Sequence, residues 1–242
     1  MEQLNPDFTF RSIELQYRKA LEYGYEFVTC SQYVKLKANN NLPKLIIVNR
    51  VDIDMSIKKA DRLRAIFDRL NIKATFFVRL HANEYNPFSF ESYRILKKIR
   101  DSGHEIGYHS EIIDQSVIWE EDAENCLKKD IIILNTLLEL NILGVASHGG
   151  MTGFNNLNFW KNKKASEYGL LYEAYDEEDA FNLFNTSFYI SDSEWIRWKC
   201  YNNGTICIGD NRTFQEHLIS MHPLIYLLIH PDTYFDNHIY ED

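Results

Sequence analysis

The sequence predicts an α/β fold, a parallel sheet covered by helices, either closed as a barrel or open and doubly wound. Three observations predict it. Short apolar runs alternate with amphipathic stretches along the chain, the pattern of β and α elements taking turns. The runs are apolar at consecutive positions, which suits strands buried on both faces. Right-handed crossovers through the intervening helices then favour these two architectures.

Phe10–Tyr23 carries a helical apolar pattern, and Tyr25–Thr29 reads as a short strand. Lys44–Val48 is a strand by its β-branched run and ends in a polar turn. Ile57, Ala60, Leu63, Ile66, Phe67 and Leu70 recur at helical spacing over Ser56–Leu70, with Ser56 placed to cap the first turn. Lys73–Val78 is the next strand and Phe90–Arg100 the next helix, which Gly103 stops in the left-handed conformation. His104–Tyr108 follows as a strand. Val117–Leu140 reads as one long helix, Gly144–Ser147 as a strand and Asn155–Trp160 as a helix. Tyr168–Ala174, Ser187–Ile190 and Thr205–Ile208 read as short strands, and Arg212–Met221 as a helix. Leu224–Ile229 is long enough for a buried strand and too short for a helix. No repeat or Pro/Gly/Ser linker divides the chain, so residues 1–242 read as a single domain, with 1–40 as an N-terminal helix and strand extension.

The composition is that of an ordinary globular protein: 242 residues, 45% hydrophobic, 25% charged, with 26 Lys+Arg against 35 Asp+Glu. A net charge of −9 with no long basic block argues against duplex nucleic acid or an anionic membrane as partner. No apolar run reaches the length of a membrane span, and the first residues lack the basic start and apolar core of a secretory signal, so the expected compartment is the cytoplasm. The four cysteines have no C-x-x-C spacing and are expected to be reduced and mostly buried rather than ligands or nucleophiles.

In parallel α/β folds ligands bind at the carboxyl ends of strands. Four apolar runs end in acids or imidazoles: Asn49-Arg50-Val51-Asp52-Ile53-Asp54, His109-Ser110-Glu111, His148-Gly149-Gly150 and His230-Pro231. Asp52 and Asp54, two apart on an extended segment, face one side together. Their repulsion is relieved by Arg50 or by a divalent cation, and one Asp on the cation with the other free supplies a ligand plus a base. A mixed His/carboxylate set suits zinc, iron, manganese or cobalt. His104 opens a strand at the wrong end for such a site and is expected to be structural, as is His81. His217, His222 and His238 are expected at the surface or in packing. There is no G-x-G-x-x-G, Walker or G-x-S-x-G signature. A glycosidase pair needs carboxylates flanking the scissile bond, about 5–9.5 Å apart, which two acids from one strand end do not provide.

These residues resemble the polysaccharide deacetylase (NodB-homology) family, in the branch whose first motif reads Arg-His-Asp-Val-Asp, here Arg50-Val51-Asp52-Ile53-Asp54. Gly103-His104-Glu105-Ile106-Gly107-Tyr108-His109-Ser110-Glu111 resembles the second motif nearly residue for residue. His148-Gly149, Ser191-Asp192 running to Trp198, and Ile229-His230-Pro231 resemble later ones, and Gly24–Thr29 an earlier one. The resemblance spans roughly residues 20 to 235. It implies a distorted (β/α) barrel of about seven parallel strands holding one divalent metal, zinc foremost, with cobalt, manganese or iron also suited. Asp52 would be the general base, His230 the general acid, and Asp54 and His109 metal ligands. Val51 and Ile113 stand where the family has histidines, so His148 is nominated as third ligand, with Glu111 or a water as alternatives. Arg50, Glu111 and Trp198 are expected to contact the substrate. The implied reaction is removal of acetyl from an N-acetylated carbohydrate, expected on a cytoplasmic glycan precursor. The alternative is an inactive protein of the same fold that binds a glycan or a protein.

Overall fold

A computed structural model describes residues 8–238 and 241. The chain runs α1 (Phe10–Glu22), β1 (Glu26–Val28), α2 (Cys30–Ala38), β2 (Ile46–Ile53), α3 (Ile57–Leu70), β3 (Thr75–Val78), α4 (Phe90–Asp101) and β4 (Glu105–Ser110). It continues through α5 (Ile112–Trp119), α6 (Ala123–Leu138), β5 (Gly144–Ser147), β6 (Tyr172–Glu173), α7 (Leu183–Thr186) and β7 (Phe188–Ser191). The last elements are β8 (Lys199–Asn202), β9 (Thr205–Ile206), α8 (Phe214–His217) and β10 (Leu224–Ile229). The sheet order is β6-β5-β4-β3-β2-β10-β7-β8-β9. The seven strands from β6 to β7 are parallel, whereas β8 and β9 are antiparallel. β1 pairs in parallel with the first half of β2, and β3 with its second half.

Between β6 and β7 the ladder is open, and side chains close it. Tyr226 donates to the Ala174 carbonyl at 3.2 Å, the Tyr175 and Tyr189 hydroxyls are 3.3 Å apart, and Phe181 packs against both Tyr172 and Tyr226. The result is a distorted (β/α) barrel, which decides between the two architectures the periodicity left open.

Strand alternation divides the core in two. Ile47, Val51 and Ile53 face the helix layer; Ile46 and Val48 face the bore with Phe77, Ala146, Tyr172, Tyr189, Tyr226 and Leu228. The bore is packed solid, as in other barrels of this kind. Gly144 is required there, since a Cβ would lie 2.0 Å from the Tyr172 ring.

Several boundaries differ from the sequence reading, each for a physical reason. β2 runs through the polar Asn49–Ile53 stretch, because its inward positions enter the polar mouth of the barrel. The long helix expected over Val117–Leu140 is two: α5 ends in left-handed Glu120, and Asp122 caps α6 by accepting from Asn125 N–H. Asn155–Trp160 and Arg212–Met221 shorten to 3₁₀ turns and the single turn of α8. Thr205–Ile208 is strand only to Ile206, and the expected strand Tyr168–Ala174 shortens to β6. β8, not expected, turns into β9 through Asn203-Gly204, both at positive φ, the Asn-Gly pair that two-residue hairpins favour. Residues of the expected N-terminal extension supply α1, α2 and β1, which lie on the barrel wall.

His104 is structural, as expected. Its Nδ1 accepts the Ala74 N–H at 3.2 Å, so the proton sits on Nε2, 3.2 Å from Asp68 Oδ1. Among the described residues no helix is long and apolar enough to cross a membrane.

Candidate metal centre and active site

The polar residues gather where the strands end. Along β2 the inward positions pass from Val48 to Arg50, then Asp52, with Asp54 just past the strand. β4 delivers His109 and, beyond its end, Glu111; β5 delivers His148; β10 delivers His230. The four segments singled out in the sequence therefore meet at one mouth.

Asp54, His109 and His148 each offer one donor atom, all within 4.8 Å of one another. His109 is buried and its Nδ1 lies 2.8 Å from the Ala146 carbonyl; donating there leaves Nε2 as the inward-facing atom. That Nε2 is 3.1 Å from Asp54 Oδ1 and 3.5 Å from Asp52 Oδ2. His148 Nε2 is 4.0 Å from Asp54 Oδ1, and its ring stands perpendicular to that of His109 at 5.1 Å. The His148 Nδ1 has no hydrogen-bond partner. Two imidazoles and a carboxylate converging in a partly buried mouth fit a divalent transition metal, and three protein donors leave a coordination position open.

Electrostatics separate the roles. Burial raises the Asp52 carboxyl, but the Arg50 guanidinium, with His109 and His230, outweighs it and holds the acid below its ordinary range. Asp54 is likewise lowered: burial opposes, and the His109 hydrogen bond and the neighbouring imidazoles prevail. Burial, with the nearby His109 and Arg79, keeps His148 lower than an ordinary histidine. His230 goes the other way, up to about 9, because Asp192 outweighs the burial penalty with help from Asp54 and Asp52. Asp192 accepts from both the backbone N–H and Nδ1 of His230, the latter at 2.7 Å. His230 Nε2 is left facing Asp54 Oδ2 at 3.9 Å.

Three expected substrate contacts occupy other places. Arg50 is 1% exposed, gives Nε and Nη2 to the two oxygens of Asp52 at 2.8 and 2.7 Å, and lies over the rings of Tyr175, Phe77 and Tyr226. It sits beneath Asp52, one inward position deeper on β2, and neutralises it. Glu111 is buried behind the cluster, bound to Arg79 at 2.7 Å, with His148 Nδ1 at 3.7 Å. Trp198 is 2% exposed and stacks on Phe8 at 5.9 Å in the helix-side core.

Three further residues support the site: Arg79 and Asp114, to which no motif points, and Asp192, known from the Ser191-Asp192 motif but given no role there. Arg79, directly after β3, binds Glu111 and the Asp54 carbonyl; Asp192, directly after β7, holds His230. Both obey the strand-end rule that found the others. Asp114, one residue past Ile113, accepts from the N–H groups of Met151 and Thr152, the Thr152 hydroxyl and the Asn156 amide. It thereby fixes the loop that carries His148.

No protein-family model matches the sequence, and no curated protein matches it. Among solved structures, a deacetylase of Streptococcus pyogenes in complex with acetate is similar at 17% identity and a TM-score of 0.45, over 60% of this chain and 68% of that one. A mutant of a pseudoenzyme with restored enzymatic activity is similar at 15% and 0.47, over 78% and 57%. IcaB from Ammonifex degensii is similar at 21% and 0.44, over 62% and 70%. At such identities and scores these likenesses carry no weight on function, which rests on the chain's own residues.

Proposed function

We propose that this protein is a metal-dependent hydrolase that removes the acetyl group from an N-acetylated carbohydrate, releasing acetate and an amino sugar, with a cytoplasmic glycan precursor as substrate. The observation that carries the reading is the Asp54–His109–His148 cluster, flanked by a neutralised Asp52 and a proton-bearing His230. The motif resemblance supports it.

Asp54, His109 and His148 would hold the cation, zinc by preference. A divalent cation in such a site polarises an amide carbonyl and lowers the pKa of a water. Asp52, fixed by Arg50, takes the proton of the attacking water. His230, whose protonated form Asp192 favours, would give its Nε2 proton to the departing amine nitrogen as the C–N bond breaks. Asp192 keeps that ring in the one orientation that points Nε2 at the site. Beside the mouth, a groove of about 770 Å³ runs past Met55, Tyr85, Asn86, Ser89, Trp195 and Ile196 to Asp232. Its mixture of rings and hydrogen-bonding groups suits a sugar.

The bidentate hold of Arg50 on Asp52 also favours a second reading, because it weakens that carboxylate as a base: a barrel that binds an acetylated glycan without turning it over. Acetate release from a panel of N-acetylated sugars, with zinc supplied, separates the two. Turnover abolished by Asp52→Asn supports the hydrolase. No turnover, with glycan binding unaffected by Asp52→Asn, supports the binding protein.

A further inference from the structure

Away from the barrel mouth, one buried histidine has nothing to bond. His217 in α8 is 1% exposed, and neither ring nitrogen has a hydrogen-bond partner. An unpaired buried polar group costs about 1–3 kcal/mol, so this side chain asks for a ligand. It is aimed at one place. Cys200 Sγ, an Asp210 carboxylate oxygen and a His217 ring nitrogen lie within 4.8 Å of one another. The His217 Nε2 is 3.6 Å from Asp210 Oδ1, too far for a hydrogen bond, and the Phe188 ring packs against the imidazole at 4.8 Å.

The β8–β9 hairpin brings a fourth donor. Asn202 pairs with Thr205 and Tyr201 with Ile206, which sets Cys207 directly opposite Cys200, and the Cys207 N–H donates to the Cys200 carbonyl at 3.0 Å. Residues directly opposite in an antiparallel ribbon project to the same face.

We propose that Cys200, Cys207, Asp210 and His217 form a second metal site, a structural one that binds a single zinc ion through two thiolates, a carboxylate and an imidazole. Cys200, Asp210 and His217 already converge, and Cys207, opposite Cys200 but outside that close group, would complete a tetrahedral set by turning its side chain towards them; the sulfurs select zinc over magnesium or calcium. The charges balance. Zinc with two thiolates and a carboxylate carries one net negative charge, and Arg212, which binds the Asp210 oxygens through Nε at 3.0 Å and Nη2 at 2.6 Å, cancels it. His217 is pushed down to about 4 by burial and so is neutral, as a ligand must be. Burial, with Cys207 alongside, pushes the Cys200 thiol up to about 12, and zinc binds cysteine as the thiolate.

The site also answers a structural need. β9 is a two-residue edge strand, Ile206 and Ile208 are 49% and 91% exposed, and little apolar burial holds the return to α8. Zinc would clamp this hairpin to α8. The spacing Cys-x6-Cys-x2-Asp-x6-His resembles no C-x-x-C signature, which is why the sequence alone assigns these cysteines no ligand role.

The test loads the reduced full chain with Co²⁺ alone and records the thiolate-to-cobalt charge-transfer absorption. That band is expected in the parent and in the Asp54→Ala/His109→Ala variant, and is expected to vanish in Cys200→Ser and to fall in Cys207→Ser and His217→Ala. A second measurement needs no variant: zinc should slow alkylation of Cys207 in the folded parent about tenfold or more, and a chelator should restore it. Absence of the cobalt–thiolate band in the parent overturns the proposal. So does a Cys207 alkylation rate indifferent to zinc, or a Cys200–Cys207 disulfide that forms while zinc is present.

Discussion

Of the two histidines in the Gly103–Glu111 motif, one belongs to the site and the other to the fold, and pH separates them. Burial holds the His104 imidazole down at about 4, with Lys73 adding to it and Asp68 opposing. The unfolded chain protonates this side chain at about 6.5. Below that pH the unfolded state binds a proton that the folded state refuses, so stability falls as the pH drops from about 6.5 towards 4 and levels off below. At about 1.4 kcal/mol per pH unit the whole gap is worth about 3 kcal/mol, and about 2 kcal/mol of it is gone by pH 5. The geometry demands the same sign, since a proton on Nδ1 would break the bond from the Ala74 N–H. The assay is urea unfolding at pH 8, 6.5 and 5 for the parent and for His104→Asn, whose amide oxygen can still accept from Ala74 but does not titrate. The parent should lose about 2 kcal/mol more than the variant between pH 8 and pH 5. Equal losses would mean that His104 protonates freely in the folded protein, and the hydrogen-bond assignment would fall.

Arg50→Met should destabilise the fold by about 3–5 kcal/mol, because it strands the buried Asp52 carboxylate, and adding Asp52→Asn should recover much of this in denaturant midpoints. His230→Ala should lower kcat by about 10²–10⁴ on an active substrate. Asp192→Asn should lower kcat more than it raises KM, since it disturbs the ring's orientation rather than the groove. Asp114→Ala should weaken zinc at the barrel mouth by about 10–100-fold, measured by chelator competition in a Cys200→Ser background, because the His148 loop loses its anchor.

The alternation of apolar runs marks the wall strands and most of the helices, and the strand-end rule picks out Asp52, Asp54, His109, His148 and His230, which share one mouth. What it could not supply was depth. Arg50, Asp52 and Asp54 share one face of one strand, yet the lowest is sealed among aromatic rings and the highest lies at the opening, a difference set by how far the strand has risen through the barrel. Trp198 misled for a related reason: an aromatic near a motif looks the same whether its ring faces a sugar or, as here, Phe8. The break after Glu120 was hidden because apolar spacing continues across it, and only the left-handed turn and the Asp122 cap mark the end. The pairing of Cys200 with Cys207 depends on a hairpin register that neither cysteine announces.

The packed bore sets how a long substrate can present itself. With Tyr172, Tyr189, Tyr226, Phe77 and Arg50 filling the interior, nothing can thread the barrel, and whatever enters the mouth leaves by it. If the proposed substrate is part of a longer chain, that chain would have to lie across the opening like a bar over a well, offering one residue to the cluster while its neighbours rest on the rim. The loops of the rim, rather than the barrel, would then set how much of it is held.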